Sequence, residues 1–475
     1  MQQHDRTSAS RGILSCVHQR GELLITLQQA ASHVLMVLGG CDRAITRQMV
    51  VNDIKCRDFC VVFDLFLRAR TSGPAMRTTV GRVPKKKHRS RHSSQRSGHP
   101  ARRAVRRRPQ WDLLDEAEAA LAAEHPMAML QLASALLELM DPRSDDPFDH
   151  SPKTDRVEMP ELMTWLSGSA EPAAAALAWT MAHVNGDEVL QARVVRDLGT
   201  PNVLLPAWLH QLGKIEIVAA EQVTEQMRDG YEVIIHARLA GYDLTAVTFI
   251  DFNLGGIVKD TFVTDRPIES FNELWKQHAD TRHTTLEALP LVEARAWING
   301  AIEVGARTWP AIETEDWPAS RPLLEWLLRH LPEGGTGFVR PEWSSADRSA
   351  LADRFLASPY GAAHHGADNR SIVGDLIWYR TDYGYGDPCR WSPIAIEILM
   401  LDWYPRKVIA DQPYLRQMPA VLRDFVRFVH GEVALDDDLT TEALDAIDLS
   451  EHRYQETIAS CGDDLGDMAI RSTPL

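Results

Sequence analysis

Every Trp and every Tyr of this 475-residue chain lies after residue 110, the first Trp being Trp111 and the first Tyr being Tyr231. A packed core of any size draws on aromatic side chains for their large buried area. The folded body is therefore expected over about 111–460, with residues 1–110 outside it. A body of that length exceeds the roughly 250–300 residues at which a single core stops growing, which predicts two lobes or one core with substantial additions.

Charge divides the chain at the same place. Residues 82–108 hold twelve Lys or Arg and no Asp or Glu, a balance of +12. Residues 109–475 hold 29 basic and 60 acidic residues, a balance of −31, within a whole-chain formal charge of −15. The basic run, RVPKKKHRSRHSSQRSGHPARRAVRRRPQ, is rich in Ser, Gly, Pro and His and nearly free of apolar residues. It buries too little surface to offset its ordering entropy, so residues 76–110 are expected to be a disordered arm. Its candidate phosphate contacts are Lys85, Lys86, Lys87, Arg89, Arg91, Arg102, Arg103, Arg106, Arg107 and Arg108. Arg meets phosphate in bidentate fashion, and the affinity of such a run is electrostatic and indifferent to sequence. The arm has no aromatic residue for base stacking and no apolar face for a membrane surface. Nucleic acid or a ribonucleoprotein is its expected partner. The competing readings are a counter-charge folded onto the acidic body and a solubilising tail.

From Met76 the sequence RTTVGRVPKKKHRS reads as the usual opening of a basic N-terminal arm. Residues 1–75 are expected to be an over-long start or a poorly ordered extension. HVLMVLGGC, ending at Cys41, follows Gln28 and Gln29 and lies too far along the chain for a lipoprotein signal. Cys16, Cys41, Cys56 and Cys60 lack the paired Cys-x-x-Cys spacing of a zinc site. Only Cys389 and Cys461 belong to the body, so no disulfide framework is expected and a reducing cytoplasm is the expected compartment. No stretch approaches the ~20 apolar residues that span a bilayer. No metal, cofactor or membrane partner is expected.

Within the body the hydrophobic period changes twice. The N-terminal region, 111–213, opens with two helices over 111–140, and Pro126 suits the first turn of the second. Helices follow at 160–168, 171–184 and 186–197. Over 214–266 the period becomes that of strands: KIEIVAAEQV, YEVIIHARLA, LTAVTFIDF and GIVKDTFVT. Their links are Asp229-Gly230, Gly241 and Asn253-Leu254-Gly255-Gly256, short enough to require an antiparallel meander. The apolar run at 244–252 marks a central strand covered on both faces. Over 267–460 the chain returns to helix, at about 268–280, 290–306, 321–331, 344–357, 369–380, 393–403, 415–431 and 440–458. Ser392-Pro393 is one clear start, and Ser344 or Ser345 caps another. The expected fold is α+β, a mostly helical body with a small central four-stranded antiparallel β-meander, and a disordered tail at 461–475.

Three stretches could carry chemistry. YRTDYGYGDPCRWSP (379–393) and LDWYPRK (401–407) gather Asp382, Tyr383, Asp387, Arg390, Asp402, Arg406 and Lys407. Gly384 and Gly386 permit close backbone approach, and a helix N-terminus at Pro393 points at the loop. If these side chains converge, Arg390, Arg406 and Lys407 would hold a small anionic substrate and an aspartate would act as acid or base. The plainer alternative is a capped turn, with Asp402 pairing Arg406 at i, i+4. Asp251 and Asp260 flank FNLGGIVK, where hairpin chemistry and a pairing with Lys259 suffice without a bound cation. PEGGTGF (332–338) lacks the lysine of a phosphate-binding loop and reads as a helix end capped at Gly334. His183, His210, His236 and the adjacent His364-His365 have no chelating spacing. No catalytic residue is assigned.

The run from LPEGGTGFVRPEWSSADRSALADRFLASPYG through DLIWYRTDYGYGDPCRWSPIAIEILMLDWYPRKVIAD, with LTAVTFIDFNLGGIVKDTFV and the arm ending GHPARR, resembles a conserved group of proteins from GC-rich, actinobacterial-type genomes. The resemblance covers about 85–460. It implies the same body boundary as the aromatic residues and brings no reaction and no residue role. The expected function is that of a cytoplasmic, non-enzymatic binding or scaffold protein. Its arm would tether it to nucleic acid or a ribonucleoprotein, and its body would take a protein partner. The alternative is an enzyme acting on a small anionic substrate at 379–407.

Overall fold

The computed structural model describes residues 113–144, 157–198, 205–278, 282–309, 311–312, 314 and 316–471. The N-terminal extension and the arm, with its ten candidate phosphate contacts, lie outside the described residues.

Among the described residues five α-helices come first. α1 (Leu113–Ala122) turns Leu113, Ala117 and Ala120 inward at i, i+4 and i+7. α2 (Met127–Leu139) begins after Pro126 and is buried on almost every side. α3 (Met159–Ser167) and α5 (Glu188–Leu198) flank α4 (Pro172–Asn185), whose alanines let neighbouring helices approach closely. α4 ends at Gly186, left-handed at φ 78°. There the Arg329 guanidinium donates to the Val184 carbonyl, a cation placed at a helix C-terminus.

β1 (Glu216–Glu225), β2 (Gly230–Leu239), β3 (Tyr242–Asp251) and β4 (Ile257–Thr264) form the antiparallel meander the short links require. Ala240 and Gly241 join β2 to β3 with both residues at positive φ, 53° and 91°, as a two-residue hairpin demands. The sheet has five strands, not four. β5 (Thr284–Ala288) pairs antiparallel with β1 and gives the order β4-β3-β2-β1-β5. Five mostly exposed residues carry too little alternation to announce a strand in the sequence.

Register sets the two faces. Val233, Ile235 and Ala237 of β2 stand opposite Thr248, Ala246 and Leu244 of β3. This face packs on the N-terminal helices and on α7 (Leu291–Gly305) and α8 (Asp316–Arg329). The other face, with Ile234, Val247, Phe249 and Phe262, is covered by Ile268 and Phe271 of α6 (Ile268–His278). β3 is therefore an inner strand buried on both sides, as its apolar run predicts.

α8 starts at Asp316 and takes Pro322 inside it, whereas the sequence places the start at 321, beside the proline. The Ser134 hydroxyl explains how this is tolerated. It donates to the Ala319 carbonyl at 2.7 Å and accepts from Leu323 N at 3.1 Å, so it stands in for a helical bond the proline disturbs.

The C-terminal helices build a second core around Trp391, Phe425 and Tyr454. Burying each side chain of that size contributes on the order of 1.5–3 kcal/mol. α9 (Ser345–Ala357) opens with a capping box between Ser344 and Asp347. α10 (Ala367–Asp382) leads to the loop before α11 (Pro393–Ile398), which Ser392 caps through Ala395 N. The helix expected over 393–403 passes into a π-helical turn at Leu399–Trp403. α12 (Tyr404–Lys407), α13 (Gln412–Leu415), α14 (Met418–Glu432) and α15 (Asp437–Arg471) follow. α15 runs past residue 460, where a disordered tail was expected, since no proline interrupts the chain between Pro419 and Pro474; residues 472–475 lie outside the described residues.

Candidate binding site

Antiparallel pairing brings the β1–β2 and β3–β4 turns to one end of the sheet, where Gly230 stands opposite Asp251. The turns present Asp229 and Asn253 to the last turn of α10. Arg380 comes down from that helix and is completely buried, at 0 % exposure. Its Nη1 donates to Asn253 Oδ1 at 3.1 Å, and its Nη2 lies 3.9 Å from Asp229 Oδ1. Its guanidinium carbon sits 5.8 Å from the Trp391 ring centre. Gly384 gives it room, since a Cβ there would meet Arg380 Nη1 at 2.8 Å.

Three carboxyls share this junction. Burial raises Asp229 to about 6, and the attraction of Arg380 offsets only part of that. Burial and the neighbouring Asp229 hold Glu225 well above the usual carboxylate range, although Glu225 accepts from Asp229 N at 3.1 Å. Asp251 is raised by burial against the pull of Lys259, whose Nζ donates to it at 3.3 Å. A tyrosine pair reinforces the joint. Arg228 Nη1 donates to Tyr385 Oη at 2.7 Å and to Tyr231 Oη at 3.1 Å, and Arg390 reaches the Gln226 carbonyl.

In front of this junction a cleft of about 900 Å³ opens between the sheet and helices α11 and α15. Val223, Phe249, Ile394 and Leu439 give it an apolar floor. Glu225, Glu232, Glu397, Glu442 and Asp445 line it, against the single guanidinium of Arg453 and the imidazole of His283. With Glu225 held well above the usual carboxylate range, Glu397, Glu442 and Asp445 carry the acidic character of the cleft, which suits a cationic ligand with an apolar part.

The charged residues expected to form an anion site are mostly taken up locally. Asp382 accepts from Arg348 Nη2 at 2.7 Å. Asp387 accepts from Cys389 N and from Arg390 Nε, both at 2.9 Å. Arg406 pairs with Asp402 at i, i+4. Tyr383 packs against Trp403 with ring centres 5.2 Å apart, and Lys407 is exposed at the end of α12. The Asp251–Lys259 pairing is the one the hairpin sequence suggests. Asp260 instead accepts from Thr261 N at 2.8 Å, and burial, with Asp316 nearby, raises it to about 7. In the 332–338 loop, Thr336 N and Gly337 N donate to the Glu293 carboxylate, each at 3.0 Å. The anion at those amides is a side chain of α7.

Among the histidines, His364 pairs with Asp424 at 2.9 Å and His236 with Asp243 at 3.1 Å. His283 lies 3.0 Å from Asp436 and 3.4 Å from Asp438, and one ligand atom from each of the three falls within 4.8 Å of the others. These are donor types that metals accept, but Arg282 already lies 3.1 Å from Asp438. Neither this group nor the Asp229–Arg380 pair is visible in the sequence. Asp436 stands 153 residues from His283, and Asp229 reads only as a turn residue.

Comparison with protein families, curated proteins and solved structures found no match. Among the described residues no helix is long and apolar enough to cross a membrane.

Proposed function

We propose that this is a cytoplasmic binding or scaffold protein with two recognition surfaces of opposite charge. The arm at 82–108 tethers it to nucleic acid or a ribonucleoprotein. The body receives a cationic, partly apolar segment of a protein partner. The observation that carries this reading is the cleft, where Glu397, Glu442 and Asp445 stand around an apolar floor. It belongs to a part of the chain whose balance is −31, whereas the arm holds +12. The alternative of an enzyme on a small anionic substrate needs Arg390 and Arg406 to face a ligand, and Asp387 and Asp402 engage both.

The test is fluorescence anisotropy with short duplex DNA, duplex RNA and single strands. A chain beginning at Met76 is expected to bind, and one beginning at Trp111 is expected not to. Binding by neither would return the arm to the role of solubilising tail or internal counter-charge and overturn the tether.

A further inference from the structure

A smaller cavity, of about 260 Å³, lies beside the β3–β4 turn, against α7. Phe252, Trp297 and Phe338 form its aromatic wall. Their ring centres are 4.4 Å apart for Phe252–Phe338, 5.6 Å for Trp297–Phe338 and 6.2 Å for Phe252–Trp297. Arg340 also lines the cavity.

Two glycines keep the space open. Gly300 lies within α7, where glycine costs ~1 kcal/mol relative to alanine. Packing does not demand it, because a Cβ there would meet nothing within 4 Å. Gly255 answers to a φ of +95°, and a Cβ on it would also meet nothing within 4 Å. Gly300 is thus a glycine that neither backbone nor packing requires, and what it preserves is open volume on the cavity wall.

Arg340 supplies the charge. It is half-buried, and its Nη1 donates to the Thr381 carbonyl at 3.5 Å, the outer limit of a hydrogen bond. Asp382, the acid that bears on it, is already bonded to Arg348 at 2.7 Å. With one bond at that limit, the guanidinium keeps donors with which to take a carboxylate in bidentate fashion. Flat rings fit the remaining space, stacked or edge-on against the three aromatic side chains.

We propose that this cavity binds a small aromatic carboxylate, with its ring system against Phe252, Trp297 and Phe338 and its carboxylate on Arg340. The site is independent of the arm and of the acidic cleft.

Calorimetric titration of the full chain with benzoate, 2-naphthoate and indole-3-acetate tests it. At least one probe is expected to bind one-to-one, with a Kd of roughly 10–500 µM for a ligand of about a dozen heavy atoms. Arg340→Met is expected to weaken that binding at least ~10-fold, as is replacing the carboxylate of the probe by a neutral alcohol. Gly300→Leu fills the space and is expected to abolish binding without lowering the unfolding midpoint, because leucine is the better helix former. Absence of saturable binding by all three probes overturns the proposal. So does binding that survives both Arg340→Met and Gly300→Leu, which places the ligand elsewhere.

Discussion

Arg380 and Asp229 face each other at 3.9 Å inside the protein, exposed by 0 % and 2 %, and they join the last turn of α10 to the β1–β2 turn of the sheet. The two partners respond differently to the same environment. Asp229, raised to about 6 by burial, accepts a proton readily, whereas a guanidinium is a permanent cation.

The pair should therefore be asymmetric to mutation. Asp229→Asn takes away a carboxyl that burial raises to about 6 in the folded protein, so its cost is expected to be larger at pH 5 and to fall towards pH 8. Arg380→Met preserves volume, and Asp229 escapes ionisation by staying protonated. Its cost is expected to be small at pH 5 and to grow towards pH 8. Urea denaturation of both variants across that range checks this. Equal costs for the two at pH 5 would contradict it.

Asp260 gives a pH dependence of definite sign. Its carboxyl is raised from 3.8 to about 7 in the folded protein, so the native state binds the extra proton between those values. The stability it confers is fully present below pH 3.8 and is lost as pH rises through 7. Asp260→Asn removes this dependence. The difference in stability between variant and parent should shift in favour of the variant as pH rises from 4 to 8, measured by thermal unfolding at each pH. A difference that is flat with pH would show that Asp260 ionises normally.

Two glycines should behave in opposite ways. A Cβ on Gly335 would stand 2.1 Å from the Val292 carbonyl oxygen, a backbone atom that cannot step aside. Gly335→Ala is expected to destabilise by ~1–3 kcal/mol. Gly374 lies within α10 with nothing within 4 Å of a Cβ, so Gly374→Ala is expected to stabilise by ~0.5–1 kcal/mol. Denaturation midpoints of the two variants settle both signs.

Much of the fold is legible because local chemistry and tertiary packing agree. Ser392-Pro393 and Ser344 mark helix starts, and Gly241 with Gly255 and Gly256 supply the positive φ that tight hairpins need. Where the sequence misleads, a distant residue decides the matter. Pro322 sits inside α8 because Ser134, far away in the chain, serves the groups around it. β5 exists because β1 has a free edge, a fact no window of five residues contains. The same holds for the sites. Asp382, Asp387 and Asp402 stand out by composition, yet each has a partner within reach along or beside its own segment. Asp229 and Arg380 stand out only once the sheet and the C-terminal helices are brought together.

If the +12 arm tethers the acidic body to nucleic acid, the binding must weaken steeply with salt. Affinity of the chain beginning at Met76 for a short duplex should be measured by anisotropy from low to moderate salt. A tethering arm gives a linear log–log plot whose slope approaches roughly −10 as nearly all its charges engage, and no binding once it is removed. A slope near zero, or binding retained by the chain that begins at Trp111, would contradict it.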